Sequence, residues 1–333
     1  MVELKVPSMI TDALRPKKDQ FPSSRLYEYK NRFSLLGTVG AGKSTIAGLV
    51  VLTTQTLGVR PNFICRILER NSNIYGDVSN LRSGRFPQKT VAYDSFATEA
   101  GLLLTQKTLL GSKKIQIPIC DVAGEDIQMM IHQYRKVVGP LGTAAYSAAS
   151  QLVRYIKESE GFIVAVDASR AVIGRKGEQV QSETDKHIHP DPDVNLVRIL
   201  NDVFDYKEQI RKPIKAIAIV ITKWDELKPH VEHLGMNIME PTKHDLTVFM
   251  QTYFPSVNQA IQSYRFAHPN TNVEYFPTYV EIERDDKGKA KKRVDGTFVI
   301  KPKESMLISD MRKPSYSEET YAELIDWLLG FAS

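Results

Sequence analysis

The stretch Gly37-Thr-Val-Gly-Ala-Gly-Lys-Ser-Thr45 (GTVGAGKST) lies between the apolar run Arg32–Leu36 and a helix-forming run, Ser44–Leu57. It satisfies the spacing G-x-x-x-x-G-K-[ST] in full, with a strand before it and a helix after it as the chemistry requires. Glycines at 37, 40 and 42 let the backbone curl so that successive N–H groups face inward. Together with the positive end of the helix dipole, such a loop is a cradle for phosphate oxygens. In that cradle Lys43 would bridge terminal phosphates and Ser44 would ligate Mg²⁺. The residues concerned are Gly37, Val39, Gly40, Ala41, Gly42, Lys43, Ser44 and Thr45. The plain alternative is a Gly-rich strand-to-helix turn carrying Lys-Ser by chance.

Outward from this loop, Gly58 and Pro61 end the first helix. FICRIL is readable as strand or helix, and residues 71–90 are rich in turn formers. GLLLTQKTLL and KIQIPICDV form a β-hairpin around the turn Gly111–Lys114. A mostly helical stretch covers 126–159. Buried strands are expected at Gly161–Ala168, Ala216–Thr222 and Val273–Phe276, with a helix over Val194–Ile210. From Thr278 to Ile300, two alternating strands flank DDKGKAKKR as one extended basic hairpin. A last helix, Glu318–Leu329, takes Ser317 as its cap and Gly330 as its stop. Strands alternating with helices argue for an α/β fold, a mostly parallel sheet covered on both faces.

Two more patterns follow the loop in order. ICDVAGE ends a strand with Asp121 and puts Gly124 three residues later, so a carboxylate can hold the Mg²⁺ hydration shell while the glycine N–H senses a terminal phosphate. AIAIVITKWD ends another strand with Thr222-Lys223-Trp224-Asp225. With all three patterns in this order, the chain resembles the P-loop GTPases of the Ras-like and translation-factor-related class, defined by G-x-x-x-x-G-K-[ST], D-x-x-G and [NT]-K-x-D. It is closest in pattern to divergent prokaryotic members with G-x-F-P-x-x-T and D-x-A-G-E motifs. The resemblance spans roughly residues 31–280. It implies a three-layer P-loop sandwich with a sheet of about six strands, one of them antiparallel. It also implies GTP and GDP as ligands, with Asp225 accepting from the guanine ring N–H and exocyclic amine and the Lys223 stem along the base. Thr222 stands where asparagine is commoner, and its hydroxyl replaces only part of the amide's bonding.

The same resemblance calls for a switch threonine. Thr90, in Gly84–Thr90, is the candidate γ-phosphate and Mg²⁺ ligand, with Thr98 and Thr105 as rivals. Glu125 occupies the place of a water-orienting glutamine, which implies slow unaided hydrolysis, accelerated by an activating partner or by homodimerisation. Thr278, after the last core strand, is the candidate for a final base-contacting loop. Catalytic candidates are thus Lys43, Thr90, Gly124 and Glu125, and metal candidates Ser44, Thr90 and Asp121. The residues divide into an extension at 1–30, a nucleotide-binding domain at 31–280 and a basic hairpin with a helix at 281–333. A nucleotide-dependent scaffold that hardly hydrolyses, and a P-loop ATPase, remain alternatives.

Composition fits and excludes. No apolar run approaches the roughly 20 residues of a membrane helix, and the first 20 residues lack the basic-then-apolar order of a signal peptide. Two cysteines in a 333-residue chain give no disulfide framework, so a cytoplasmic location is expected. The net charge of +5 is concentrated in residues 1–34 and 281–303, each at net +3. A protein whose whole surface tracks nucleic acid is thereby disfavoured, while the tip at 284–293 leaves open a local contact with nucleic acid or an anionic surface. His187, His189, Asp191 and Asp193 read as a solvated loop rather than a metal site, since Pro190 and Pro192 break any regular face.

Overall fold

The computed structural model describes residues 31–38, 40–55, 62–68, 73–87, 100–109, 111–119, 154–169, 191–227, 235–238, 240–303 and 313–332. Seven strands lie among them: β1 (Phe33–Gly37), β2 (Phe63–Ile67), β3 (Ala100–Thr108), β4 (Gly111–Ile119), β5 (Gly161–Asp167), β6 (Ala216–Thr222) and β7 (Asn272–Pro277). Six helices accompany them: α1 (Lys43–Gln55), α2 (Asn73–Arg82), α3 (Pro192–Gln209), α4 (Lys243–Tyr253), α5 (Pro255–Ala267) and α6 (Glu318–Gly330). No described helix is long and apolar enough to cross a membrane.

β5 and β6 are buried at every position. Continuous apolar strands of this kind belong inside a parallel sheet covered on both faces. They form the middle of a four-stranded parallel sheet ordered β1-β5-β6-β7. Side chains alternate with the two-residue period of a strand. Phe162, Val164 and Val166 join α3, α4 and α5 in one core, while Ile163 and Ala165 join α1, α2 and α6 in the other. Each fully buried Val, Leu or Ile in these cores contributes roughly 1.5–3 kcal/mol of transfer free energy.

Corrections to the sequence expectations begin with the sheet. Instead of about six strands with one antiparallel, four parallel strands stand beside a separate three-stranded antiparallel sheet, β2-β3-β4. FICRI is therefore a strand, paired antiparallel to β3. A single parallel bridge, Arg32 to Gln116, connects β4 to the residue before β1. The hairpin turn is tighter than its glycine suggested. Thr108 pairs with Gly111, so the connection is residues 109–110 and Gly111–Lys114 is already strand. Ser317 precedes α6 but gives it no side-chain cap; its hydroxyl instead accepts from the Tyr279 N–H at 3.1 Å. Gly330 is the last helical residue rather than the stop.

The basic segment is also not one hairpin. Two tight turns, at Asp285–Gly288 and Arg293–Gly296, fold it into three short legs joined by the bridges Arg284–Ala290 and Lys292–Phe298. Ile282 pairs back to Ile300, and Val280 to Tyr316 just before α6. The far leg bridges Arg85 through Val299, and the Arg293 guanidinium donates to the Gly84 carbonyl at 2.9 Å. This insert thus touches the residues that open the candidate switch loop.

One helix start shows how neighbours substitute for local caps. α5 begins at Pro255 with no side-chain cap of its own. Asp193, in the first turn of α3, accepts from the Ser256 N–H and the Val257 N–H, both at 2.9 Å. Asp191 caps α3 itself through the Asp193 N–H. Both aspartates are therefore structural, while His187 and His189 lie outside the described residues. Asp193→Ala leaves two helix-end N–H groups without an acceptor. Urea denaturation is expected to show a loss of about 1–2 kcal/mol with an unchanged m-value.

Candidate functional site

The chain runs from β1 out to β4 on one side of β1, and then to β5 on the other. β1 is thus the strand at which the winding reverses, and crevices open at the carboxyl ends of strands at such a point. GTVGAGKST occupies that end. Register brings the neighbouring ends level with it: Gly37 faces Ala165, Asp167 faces Thr222, and Ile221 faces Pro277.

The loop's geometry requires its glycines. Gly37, Gly40 and Gly42 have φ of 155°, 73° and 86°, angles that L side chains rarely adopt. A Cβ on Gly37 would stand 2.8 Å from the Ala165 carbonyl oxygen. The loop closes with Ala41 N–H donating to Thr38 O at 3.2 Å, and α1 starts with Ile46 N–H on Gly42 O at 2.8 Å. α1 has no acidic residue in its first turn, so no carboxylate of its own offsets the positive end of its dipole. Lys43 reaches back over the loop, its Nζ donating to Gly37 O at 3.0 Å and Thr38 O at 3.1 Å. Ser44 and Thr45 follow in the same turn, half-buried.

The Thr222–Asp225 segment is welded to this loop. The Thr222 hydroxyl lies 3.2 Å from the Ala41 carbonyl and 3.1 Å from the Val166 carbonyl. Lys223 has φ of 58°, a left-handed conformation that is costly for a long side chain. Its Nζ is held by Asp167 at 2.7 Å, and the Ser169 hydroxyl donates to the other Asp167 oxygen at 2.9 Å. The Asp167 side chain is wholly buried, whereas that of Lys223 is 39% exposed. Asp167 was missed in the sequence, although an acid closing the apolar run GFIVAVD is a visible signal.

Trp224 turns inward, with its indole N–H donating to Ile238 O at 2.8 Å. Thr278 clamps the same turn: its N–H donates to Ile221 O at 2.7 Å, and its carbonyl accepts from Trp224 N–H at 3.1 Å. The Thr278 hydroxyl also donates to Ile221 O, at 3.3 Å, and the residue is buried. Asp225 is thereby set on the wall of a cavity of about 580 Å³ that it shares with Pro277, Tyr279, Arg284 and Lys301. Burial, with help from Glu226, pushes the Asp225 carboxyl up to about 6. Glu226 is raised too, again chiefly by burial.

Val39, Thr90, Thr98, Asp121, Gly124 and Glu125 lie outside the described residues. Thr105 lies within β3, as its apolar neighbours indicate. Among the described residues there is no cluster of three or more His, Cys, Asp or Glu side chains able to hold a metal.

No family model matches the chain, and no curated protein matches it significantly. Among solved structures, it is similar to a chain of the signal recognition particle receptor SRb-GTP/SRX complex from Chaetomium thermophilum. That match has 12% identity and a TM-score of 0.37, covering 76% of this chain and 92% of that one. At that level of likeness, function has to be argued from the residues themselves.

Proposed function

We propose that the chain binds guanine nucleotides with Mg²⁺, hydrolyses GTP to GDP and phosphate, and serves as a switch between the two bound forms. The observation that carries this reading is the Thr222 hydroxyl on the Ala41 carbonyl. It ties the loop suited to phosphate to the segment suited to a purine, so that one rigid unit grips both ends of a nucleotide.

In this reading the inward amides of Gly40–Thr45 take the phosphates, and Lys43 exchanges its carbonyl partners for phosphate oxygens. Thr278 steadies the segment that presents Asp225. The carboxylate of Asp225 accepts from the ring N–H and amine of guanine, whereas adenine presents an acceptor there and leaves it unpaired. The hydroxyl and carboxylate oxygens of Ser44, Thr90 and Asp121 are a hard donor set that suits Mg²⁺. The ion, when bound, would neutralise charge on the β- and γ-phosphate oxygens. Water attacks the γ-phosphorus, the bond to the bridging oxygen breaks, and GDP leaves with the charge stabilised by Lys43 and the loop amides. Glu125 sits beside Gly124, and a negative charge next to a polyanion keeps unaided turnover slow. Loss of the γ-phosphate releases Thr90 and Gly124, which is the switch.

Single-turnover hydrolysis of GTP by the full chain, at low and high protein concentration, tests this. Slow release of phosphate that stops with EDTA is expected, faster at high concentration if a second copy assists. Tight GTP binding without turnover at either concentration would leave a scaffold module instead.

The pH dependence has a definite sign. Guanine binds the ionised Asp225, so a proton competes with it. GDP affinity is therefore expected to be flat above about pH 6 and to fall about tenfold per unit below it. Fold stability of the free protein is expected to run the other way. Its Asp225 lies above the ordinary 3.8, so protonation favours the fold: that contribution is full below 3.8 and is lost as pH rises to about 6. Titrating GDP binding between pH 5 and about 8, and urea unfolding of the free protein between pH 4 and about 7, reads the two trends separately.

A further inference from the structure

Guanine has two kinds of edge to satisfy. Its pairing edge carries the donors that Asp225 suits, and its other edge carries two acceptors, O6 and N7. Of the side-chain donors in the Thr222-Lys223-Trp224-Asp225 segment, the Thr222 hydroxyl and the Trp224 indole N–H are spent on backbone carbonyls, and the Lys223 ammonium is drawn to Asp167. Thr222 is only 7% exposed.

The cavity that Asp225 lines is also lined by two cations of the basic insert. Lys301 is paired with Glu281 at 3.0 Å. Arg284 makes one exposed bond from a terminal nitrogen to the Gly288 carbonyl, at 3.0 Å. A guanidinium has five N–H donors in a planar fork, which matches the O6 and N7 pair of guanine two-to-two. The leg that carries Arg284 is anchored near the cavity, since Tyr279 N–H is held by Ser317 and Ile282 is bridged to Ile300.

Resting on the guanine reading above, we propose that Arg284 is a specificity-determining residue that donates to O6 and N7 of the base while Asp225 accepts from its opposite edge. The insert is then part of the nucleotide site, and it supplies the donor that the threonine at 222 does not.

The test is calorimetry on the full chain with Mg²⁺, using GDP, 7-deazaguanosine diphosphate (no N7 acceptor) and inosine diphosphate (no exocyclic amine). The unaltered protein is expected to bind GDP on the order of tenfold more tightly than the deaza analogue. Arg284→Ala should lose that factor for GDP and bind the two alike, while its preference for GDP over the inosine analogue stays intact. Arg284 is solvent-exposed, so the fold survives its truncation. Asp225→Asn should do the reverse, keeping the deaza factor and losing the preference over inosine. If Arg284→Ala keeps both full GDP affinity and the deaza factor, or the unaltered protein shows no deaza factor, the role of Arg284 is overturned and the guanine reading stands. Absence of any preference for GDP over ADP in the unaltered protein overturns both.

Discussion

Asp225→Asn is expected to erase most of the preference for GDP over ADP, a preference of about four orders of magnitude in a site built to pair guanine's donors. The reason is the number of bonds at stake. In the proposed site one carboxylate would accept from two guanine N–H groups inside a cavity where burial already pushes it up to about 6. An amide keeps one acceptor and turns an N–H toward guanine's amine, so a bond becomes a clash of donors. GDP affinity should drop at least a hundredfold, since a charged hydrogen bond is worth about 1.5–3 kcal/mol and two are affected. ADP affinity should change little. The fold should be retained or slightly stabilised, because a buried charge has been removed. Competition of ADP and GDP against a fluorescent GDP reads the whole effect.

Lys43→Ala is the second large expectation, and it acts on chemistry more than on the base. Its ammonium reaches back over the glycine loop, bonded to Gly37 O and Thr38 O, where the proposed site puts the phosphates. Removing one preorganised charge from a transferring phosphoryl group costs about 10²–10³ in rate. Single-turnover hydrolysis should fall by that factor or more, while the guanine-over-adenine ratio, set at Asp225, persists. The two variants thus separate the ends of the site. A Lys43→Ala protein that hydrolyses GTP at the original rate would place the phosphates elsewhere.

Much of the frame could be read directly. Ala216–Thr222 is the strand its unbroken apolar run indicates, and α1 begins at Lys43, one residue from its expected start. Local chemistry dominates there, because a fully buried strand and a helix after a glycine loop need few distant partners to define them. The misplaced features depend on such partners. The β3–β4 turn carries Leu109, fully exposed, where turn chemistry would favour a polar residue, so the true turn was masked by an apolar side chain and Gly111 drew it downstream. Ser317 has the type of a helix cap, but its hydroxyl is spent on Tyr279, a residue 38 positions away. β2 alternates poorly between buried and exposed, which is why FICRI suited either helix or strand.

The candidate site shows the same division. Its motifs are contiguous and legible. The bond between Thr222 and Ala41 spans 181 positions and follows only from the register of β1, β5 and β6. Asp167 became relevant only when β5 and β6 brought it to Lys223. The basic insert gave no hint that its first leg borders the Asp225 cavity while Ile300 and Val299 of its last leg bond Gly84 and Arg85.

The central claim is that one unit, formed by the glycine loop and the segment at 222–225, holds a guanine nucleotide. Isothermal titration of the full chain with GDP and with ADP, in Mg²⁺ at pH 7.5, tests it most directly. GDP binding that is stronger by several orders of magnitude is the predicted result. Equal affinity for the two diphosphates, or no binding of either, would contradict it.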